Sequence, residues 1–163
     1  TELVDEVTET NNCTTGSKTV QVPLSVSVAL IKDFQILNLT GYPSVLRPGE
    51  RFTLADDARI RDAEDSPPAA VRYYLSPSRQ PVDDKLELGS RRIDRWDKLP
   101  GGRPGKGSIF GSSGKTTLTI PQTLAPGIYY LIACVVPDTK VDDKDSRNDC
   151  RSGARAIRVL PGR

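Results

Sequence analysis

The chain has 163 residues, a formal net charge of +2 and 27% charged residues. This length suits one ordinary domain with its own core, and so balanced a charge gives no case for a nucleic-acid partner. Histidine is absent, which excludes catalytic triads and metal sites built on histidine. No apolar run approaches the roughly 20 residues of a membrane helix. We therefore expect neither an enzyme nor a membrane-inserted protein.

The beginning of the chain is similar to its end. Residues 4–22 align with residues 141–159 at a constant offset of 137, the difference between positions 150 and 13. A period above a hundred residues indicates repeats of whole domains rather than a solenoid. We interpret residues 1–22 as the last loop and strand of a preceding repeat, or as a strand donated to another subunit. Residues 23–32 are then a linker or a strand.

This alignment also bears on the odd number of cysteines. The chain has three cysteines, and an odd count leaves one thiol to be explained in a secreted protein. Under the alignment Cys13 falls on Cys150. Cys13 would then pair with a cysteine upstream, or form an intermolecular disulfide.

Short runs with alternating apolar and polar residues follow along the chain, and proline and glycine turns separate them. The predicted strands are Leu24–Ile31, Phe34–Leu39, Arg51–Ala55, Ala70–Leu75, Lys115–Ile120, Ile128–Val136 and Ala156–Leu160. No segment keeps a helical apolar period over three turns. The pattern predicts an all-β, immunoglobulin-like sandwich of about seven antiparallel strands.

A basic stretch interrupts the predicted strands in the second half of the chain. Its members are Arg91, Arg92, Arg95, Trp96, Lys98, Arg103 and Lys106. Positive charge on a long glycine-containing loop predicts a binding site for an acidic glycan, a cell wall or a neighbouring subunit. The alternative is a solvated basic insertion beneath which Trp96 packs.

A proline-glycine turn at Pro126-Gly127 leads into a strand that contains two tyrosines. This arrangement resembles the tyrosine corner of immunoglobulin-like sandwiches, in which a phenol hydroxyl bonds back to the backbone near the turn. We assign this structural role to Tyr130. The alternative is an aromatic-rich strand without such a corner.

Four blocks of the chain resemble the CARDB repeat, a cell-adhesion-related domain found in bacteria and archaea. They lie at residues 33–54, 71–76, 118–134 and 148–159. The most specific parts are the YYLIAC strand at residues 129–134 and the NDC triplet at residues 148–150. The resemblance implies a seven-stranded immunoglobulin-like domain over residues 33–160, often repeated in tandem in secreted or surface proteins. It implies no catalytic residues.

The resemblance also implies that the last two strands are joined by a disulfide between Cys134 and Cys150. A bond that closes a loop of this size stabilises a protein by roughly 3 kcal/mol in the chain-entropy model. Disulfides persist in oxidising compartments, so we expect an extracellular or cell-surface location.

The hairpin between these cysteines is rich in oxygen ligands. Its carboxylate and amide side chains are Asp138, Asp142, Asp143, Asp145, Asn148 and Asp149. Such groups could bind Ca²⁺. The alternative is a solvated turn, since aspartate and asparagine favour turns and Lys140, Lys144 and Arg147 partly neutralise the charge.

Two classes of function follow from these predictions. In the first, the chain is a structural or adhesive module of a repeat protein or a fibre, and its partners are neighbouring copies or other surface proteins. In the second, it is an accessory module of a secreted hydrolase that binds polysaccharide or calcium. No cofactor other than Ca²⁺ is predicted.

Overall fold

The computed structural model describes residues 32–80, 84–101 and 107–162, which form nine β-strands. The strands are β1 (Asp33–Thr40), β2 (Val45–Leu46), β3 (Arg51–Ala63), β4 (Ala69–Ser76), β5 (Leu86–Ile93), β6 (Asp97–Leu99), β7 (Ser108–Thr119), β8 (Gly127–Pro137) and β9 (Cys150–Val159). They form a four-stranded sheet in the order β1-β3-β7-β6 and a five-stranded sheet in the order β2-β9-β8-β4-β5. Within these residue ranges, no helix is long and apolar enough to cross a membrane.

The all-β sandwich predicted from the sequence is confirmed. Seven of the nine strands have eight or more residues, whereas β2 and β6 have two and three. These seven longer strands pair antiparallel with one another, as predicted, and the short β2 adds a parallel pairing with β9. The predicted runs in β1, β4 and β8 are right to within one residue at each end. The predicted strand Leu24–Ile31 and the repeat at residues 1–22 lie outside the described residues.

Strand β3 shows how the sequence builds the core between the sheets. Its residues alternate, and Phe52, Leu54 and Ile60 are buried among the apolar side chains of the core. Successive side chains of a strand point to opposite faces, so the residues between them face solvent. Asp56 stands at one of the inward positions and is also buried. A carboxylate in such a place requires a partner.

The tyrosine at the turn before β8 is Tyr129, and our assignment of this role to Tyr130 was wrong. The Tyr129 hydroxyl donates a hydrogen bond to the carbonyl of Ala125 at 3.0 Å. Tyr129 packs against the apolar core, on the same strand face as Leu131. Tyr130 points to the opposite face, where the guanidinium of Arg79 lies 5.3 Å from its ring centroid.

The last strand, β9, is held along its whole length. It lies between β8 and β2 in the sheet, and the disulfide is at its first residue. The hydroxyl of Tyr42 accepts a hydrogen bond from the Arg155 amide and donates one to the Arg155 carbonyl, both at 3.2 Å. The same hydroxyl lies so close to Gly153 that a β-carbon there would collide with it. Any larger residue at this position of β9 would force the Tyr42 side chain to move.

Candidate functional site

The disulfide predicted between Cys134 and Cys150 is present. The two cysteines stand directly opposite each other in the register of β8 and β9, and Cys134 is buried. The bond therefore closes the hairpin at the point where its long acidic connection begins. Cys13 lies outside the described residues.

The structure does not bring the six predicted calcium ligands together. Asp138 pairs with Arg92 at 2.7 Å, and Asp145 pairs with Arg147 at 2.8 Å. Asp142 is exposed. Arg147, which lies among these acids in the sequence, and Arg92 from a neighbouring strand thus pair with two of the carboxylates that calcium would need.

The remaining three predicted ligands, Asp143, Asn148 and Asp149, form a cluster with Asp33 at the start of β1, which we call the acidic cluster. The Asn148 side-chain amide donates to Asp33 at 2.9 Å, and Asp143 accepts from the Phe34 backbone amide at 3.2 Å. The cluster therefore ties the first strand of one sheet to the last hairpin of the other. Asp33 lies more than a hundred residues from the hairpin, which is why the sequence did not reveal its part.

Like charges crowd this cluster. Burial, followed by the carboxylates of Asp143 and Asp33, raises the pKa of Asp149 to about 7. The Oδ1 atoms of Asn148 and Asp149 are buried and have no hydrogen-bond partner among the described residues. Across these residues, no group of three or more histidine, cysteine, aspartate or glutamate side chains could hold a metal ion. Calcium binding therefore stays a prediction from the sequence. The described residues do not form a ready-made calcium site.

The predicted basic binding loop is divided among different parts of the fold. Arg91 and Arg92 belong to β5, Lys98 belongs to β6, and Arg95 is exposed between these strands. Arg103 and Lys106 lie outside the described residues. We predicted a single loop that presents all of these charges to one ligand. For the residues of this stretch that the structure describes, that prediction is wrong.

Trp96, the aromatic residue of that stretch, lies in the core. It is 4% exposed, and its ring meets the ring of Phe34 edge to face at 6.4 Å between centroids. Its indole nitrogen donates to the carbonyl of Pro67 at 2.8 Å. A buried tryptophan commonly satisfies its only donor in this way. The alternative interpretation, in which Trp96 packs beneath the insertion, is the one that the structure bears out.

Arg91 is part of a polar network between the two sheets, which we call the inter-sheet network. Its guanidinium binds both carboxylate oxygens of Asp56, with 3.0 Å between Nε and Oδ2. The hydroxyl of Tyr73 donates to the same carboxylate at 2.6 Å. Burial, helped by this hydrogen bond to Asp56, raises the pKa of Tyr73 to about 12. Asp56 and Tyr73 were not predicted, since their partner Arg91 stands far from both in the sequence.

A polar depression of about 390 Å³ lies on the outer face of the four-stranded sheet. Ser113 and Asn38 donate hydrogen bonds to Asp57 at 2.5 and 3.1 Å, and these bonds lower the pKa of its carboxyl. Arg59 and Asp97 line the same depression. The Arg59 Nε is buried without a hydrogen-bond partner among the residues that the structure describes. The depression thus places the carboxylates of Asp57 and Asp97 near a guanidinium whose Nε is enclosed by the protein.

Known structures settle the type of fold. A CARDB domain of a Pyrococcus furiosus protein, crystallised in complex with di-metal ions, superposes with a TM-score of 0.51 at 12% identity over 80% of this chain and 90% of that one. The fold is that of a CARDB domain. A solution structure of the same archaeal CARDB domain gives a TM-score of 0.51 at 13% identity over 80% of this chain and 96% of that one.

A β-glucosidase from Listeria innocua is also similar, with 13% identity and a TM-score of 0.42 over 80% of this chain and 16% of that one. No protein-family model matches the sequence. No curated protein matches it either. The likeness to CARDB domains is therefore one of fold.

Proposed function

We propose that the chain is a non-catalytic structural module of an extracellular protein that contacts neighbouring copies of itself or other surface proteins. The observation that carries this proposal is the Cys134–Cys150 disulfide across the last hairpin of the sandwich. Such bonds form and persist in oxidising environments and stabilise small domains that are exposed to them.

The buried polar groups support a structural role. Asp56, Tyr73 and Arg91 bind one another across the two sheets, and Trp96 donates to a backbone carbonyl. Each of these buried side chains finds its hydrogen-bond partner within the protein, so it helps to hold the strands together. The similarity of residues 4–22 to residues 141–159 supports the further proposal that such modules follow one another in an array.

The location can be tested in cells that make the protein. An antibody against the chain should label intact cells or the secreted fraction. Cells quenched with an alkylating agent should yield the Cys134–Cys150 peptide in its oxidised form by mass spectrometry. A protein found inside the cells with both cysteines alkylated would contradict the proposal. An antibody against a cytoplasmic protein controls for broken cells.

The polar depression favours a second candidate function, the binding of polysaccharide. Sugar hydroxyls both donate and accept hydrogen bonds, so they fit a site that is lined by the carboxylates of Asp57 and Asp97 and by Arg59. We propose that a sugar unit occupies this depression when the module meets a cell wall or an extracellular glycan.

Electrophoresis through gels that contain neutral or acidic polysaccharides tests this candidate. We expect one class of polysaccharide to slow the protein, and Arg59→Ala to abolish the effect. Arg51→Ala is the matched control, because Arg51 is exposed and lies on the same strand outside the depression. Equal retardation of both variants, or none of the wild type, would refute polysaccharide binding at this place.

A further inference from the structure

Three large apolar side chains are exposed to solvent among the described residues, and all three belong to the five-stranded sheet. Val45 on β2 is 48% exposed, Leu86 on β5 is 41% exposed and Ile128 on β8 is 53% exposed. Single apolar residues on a surface are ordinary, and only their arrangement can indicate a contact with a partner. The positions of these three residues in the sheet divide them between two surfaces.

Val45 and Ile128 belong to the first surface, which also contains Arg158 and which we call the receiving surface. Arg158 stands between the two apolar residues, because it is opposite Val45 in the pairing of β9 with β2 and opposite Ile128 in the pairing of β9 with β8. A depression of about 420 Å³ opens here, and its lining includes Pro126, Ile128, Arg158, Leu160 and Pro161. Arg158 is exposed and forms no ion pair with any described residue. The receiving surface thus combines an apolar depression with an unpaired positive charge.

Leu86 belongs to the second surface, which also contains Asp84 and which we call the inserting edge. Strand β5 is the outermost strand of the described sheet on this side, so a partner can approach it from the side. Asp84 is exposed, and none of the ion pairs within the described ranges involves it. The intervening Lys85 has its ammonium 4.9 Å from the ring centroid of Tyr74. The inserting edge thus combines an apolar side chain with an unpaired negative charge, the converse of the receiving surface.

The two surfaces are too far apart to meet within one copy. Leu86 is opposite Leu75 on β4, and Leu75 is opposite Leu131 on β8. Leu86 and Ile128 are therefore separated by two strand spacings and three residues, which is roughly 14 Å between backbone positions. A partner for either surface must come from another molecule.

We propose that the inserting edge of one copy binds the receiving surface of a second copy. In this contact Leu86 enters the depression beside Ile128, and Asp84 faces Arg158. The inference rests on the proposed function, and it names the surfaces through which neighbouring copies contact each other.

Each surface supplies what the other lacks. The contact between Leu86 and Ile128 removes apolar surface from water, and the opposite charges of Asp84 and Arg158 favour one orientation over others. Because two different surfaces meet, each copy can bind one neighbour on each side, and such contacts generate rows of copies. The contact is small, so it is weak between separate copies and much stronger between copies that are linked in one array.

Sedimentation velocity of the full chain at increasing concentrations tests the inference. Free thiols are blocked beforehand, so that no disulfide can join two copies. We expect the wild type to associate reversibly. Leu86→Ser and Ile128→Ser should each weaken this association at least about tenfold, because each removes the apolar side chain from one of the two surfaces.

A mixture of these two variants is the decisive measurement. The Leu86→Ser copy keeps its receiving surface and the Ile128→Ser copy keeps its inserting edge, so one intact contact can form between them. We expect the mixture to form dimers with the dissociation constant of the wild type, and nothing larger than dimers. Each variant alone should stay monomeric at the same concentrations. Misfolded variants could not restore each other in this way.

An exchange of charges tests the orientation of the contact. Asp84→Arg and Arg158→Asp should each weaken the association about two- to fivefold, and the variant that carries both changes should recover it. Asp142→Arg is the matched control, because Asp142 is an exposed aspartate outside both surfaces and its change should have no effect.

Four results would overturn the inference: a wild type that stays monomeric at every concentration, serine variants that associate like the wild type, a mixture that forms no dimers, or a double charge variant as weak as the single ones. The proposed function fails separately, by the finding of a reduced protein inside the cell. A secreted protein with an intact disulfide and no self-association would overturn the inference alone. An intracellular protein whose copies still bind through these surfaces would overturn the function alone.

Discussion

Two polar clusters that contain aspartate connect the sheets of this sandwich, and their surroundings give the carboxylates opposite properties. In the inter-sheet network, Asp56 is fully buried but faces the guanidinium of Arg91 and the hydroxyl of Tyr73. In the acidic cluster, Asp33, Asp143 and Asp149 face one another, and the pKa of Asp149 is raised to about 7. A buried carboxylate stabilises a fold only when a positive charge or a donor accompanies it. The inter-sheet network meets this condition, and the acidic cluster meets it only in part.

Of the three substitutions or treatments predicted here, Asp56→Ala should lower the free energy of unfolding most. The substitution leaves the largely buried Arg91 guanidinium without its carboxylate, and breaking a buried pair in this way costs about 3–5 kcal/mol. Urea denaturation of the variant measures the loss in the free energy of unfolding. Asp57→Ala is the control, since the neighbouring side chain points to the outer face and makes exposed hydrogen bonds. Similar losses in both variants would show that the inter-sheet network contributes nothing special.

Removal of the disulfide should have the next largest effect. The bond joins residues 16 apart next to the acidic cluster, and its loss should lower the free energy of unfolding by roughly 3 kcal/mol. Denaturation with and without a reducing agent measures this difference. The double variant Cys134→Ala and Cys150→Ala should already be destabilised and should not respond to the reductant. An unchanged unfolding midpoint after reduction would contradict the prediction.

The smallest of the three expected changes in stability comes from Asp149, and it depends on pH. The pKa of Asp149 is higher in the folded state than the ordinary value of 3.8, so the folded state binds the proton more tightly. This contribution to stability is complete below pH 4 and is lost as the pH rises to about 7. Asp149→Asn should therefore stabilise the protein at pH 8, by about 1 kcal/mol for a carboxyl screened by solvent, and change little at pH 4.

Thermal unfolding at both pH values measures the effect of Asp149. Asp142→Asn is the control, because Asp142 is exposed in the same hairpin and carries the same charge. If both variants gain the same stability at pH 8, the gain comes from the lower net charge of the hairpin and not from the acidic cluster. A gain for Asp149→Asn at pH 4 would contradict the assigned direction of the pKa change.

The sequence predicted strand β4, in which buried and less buried residues largely alternate, and strand β8, whose middle is a continuous apolar and buried run. It did not reveal that β3 continues past Ala55, because Asp56 and Asp57 resemble the residues of a turn. The continuation depends on Arg91, which lies on β5. Strand β5 itself was missed because it stands at the edge of its sheet and contains charged residues and a glycine.

The candidate site was predicted in pieces for the same reason. The resemblance to CARDB repeats implied the disulfide of Cys134 with Cys150, and the run of carboxylate and amide side chains indicated the acidic hairpin. Neither indicated that Asp33 joins that hairpin, and the packing of Trp96 inside the domain was only one of two alternatives. Both contacts are decided by how the two sheets meet, and no local pattern of residues records that geometry.

The arrangement around β9 has a mechanical consequence. The disulfide holds its beginning, the Tyr42 hydroxyl holds its middle, and parallel pairing with β2 holds its end. A force applied to the C-terminus would therefore load β8, β2 and the segment that carries Tyr42 at the same time. In a chain of such modules under tension, this strand would resist being peeled away one hydrogen bond at a time, and the covalent bond would limit how far each module could extend.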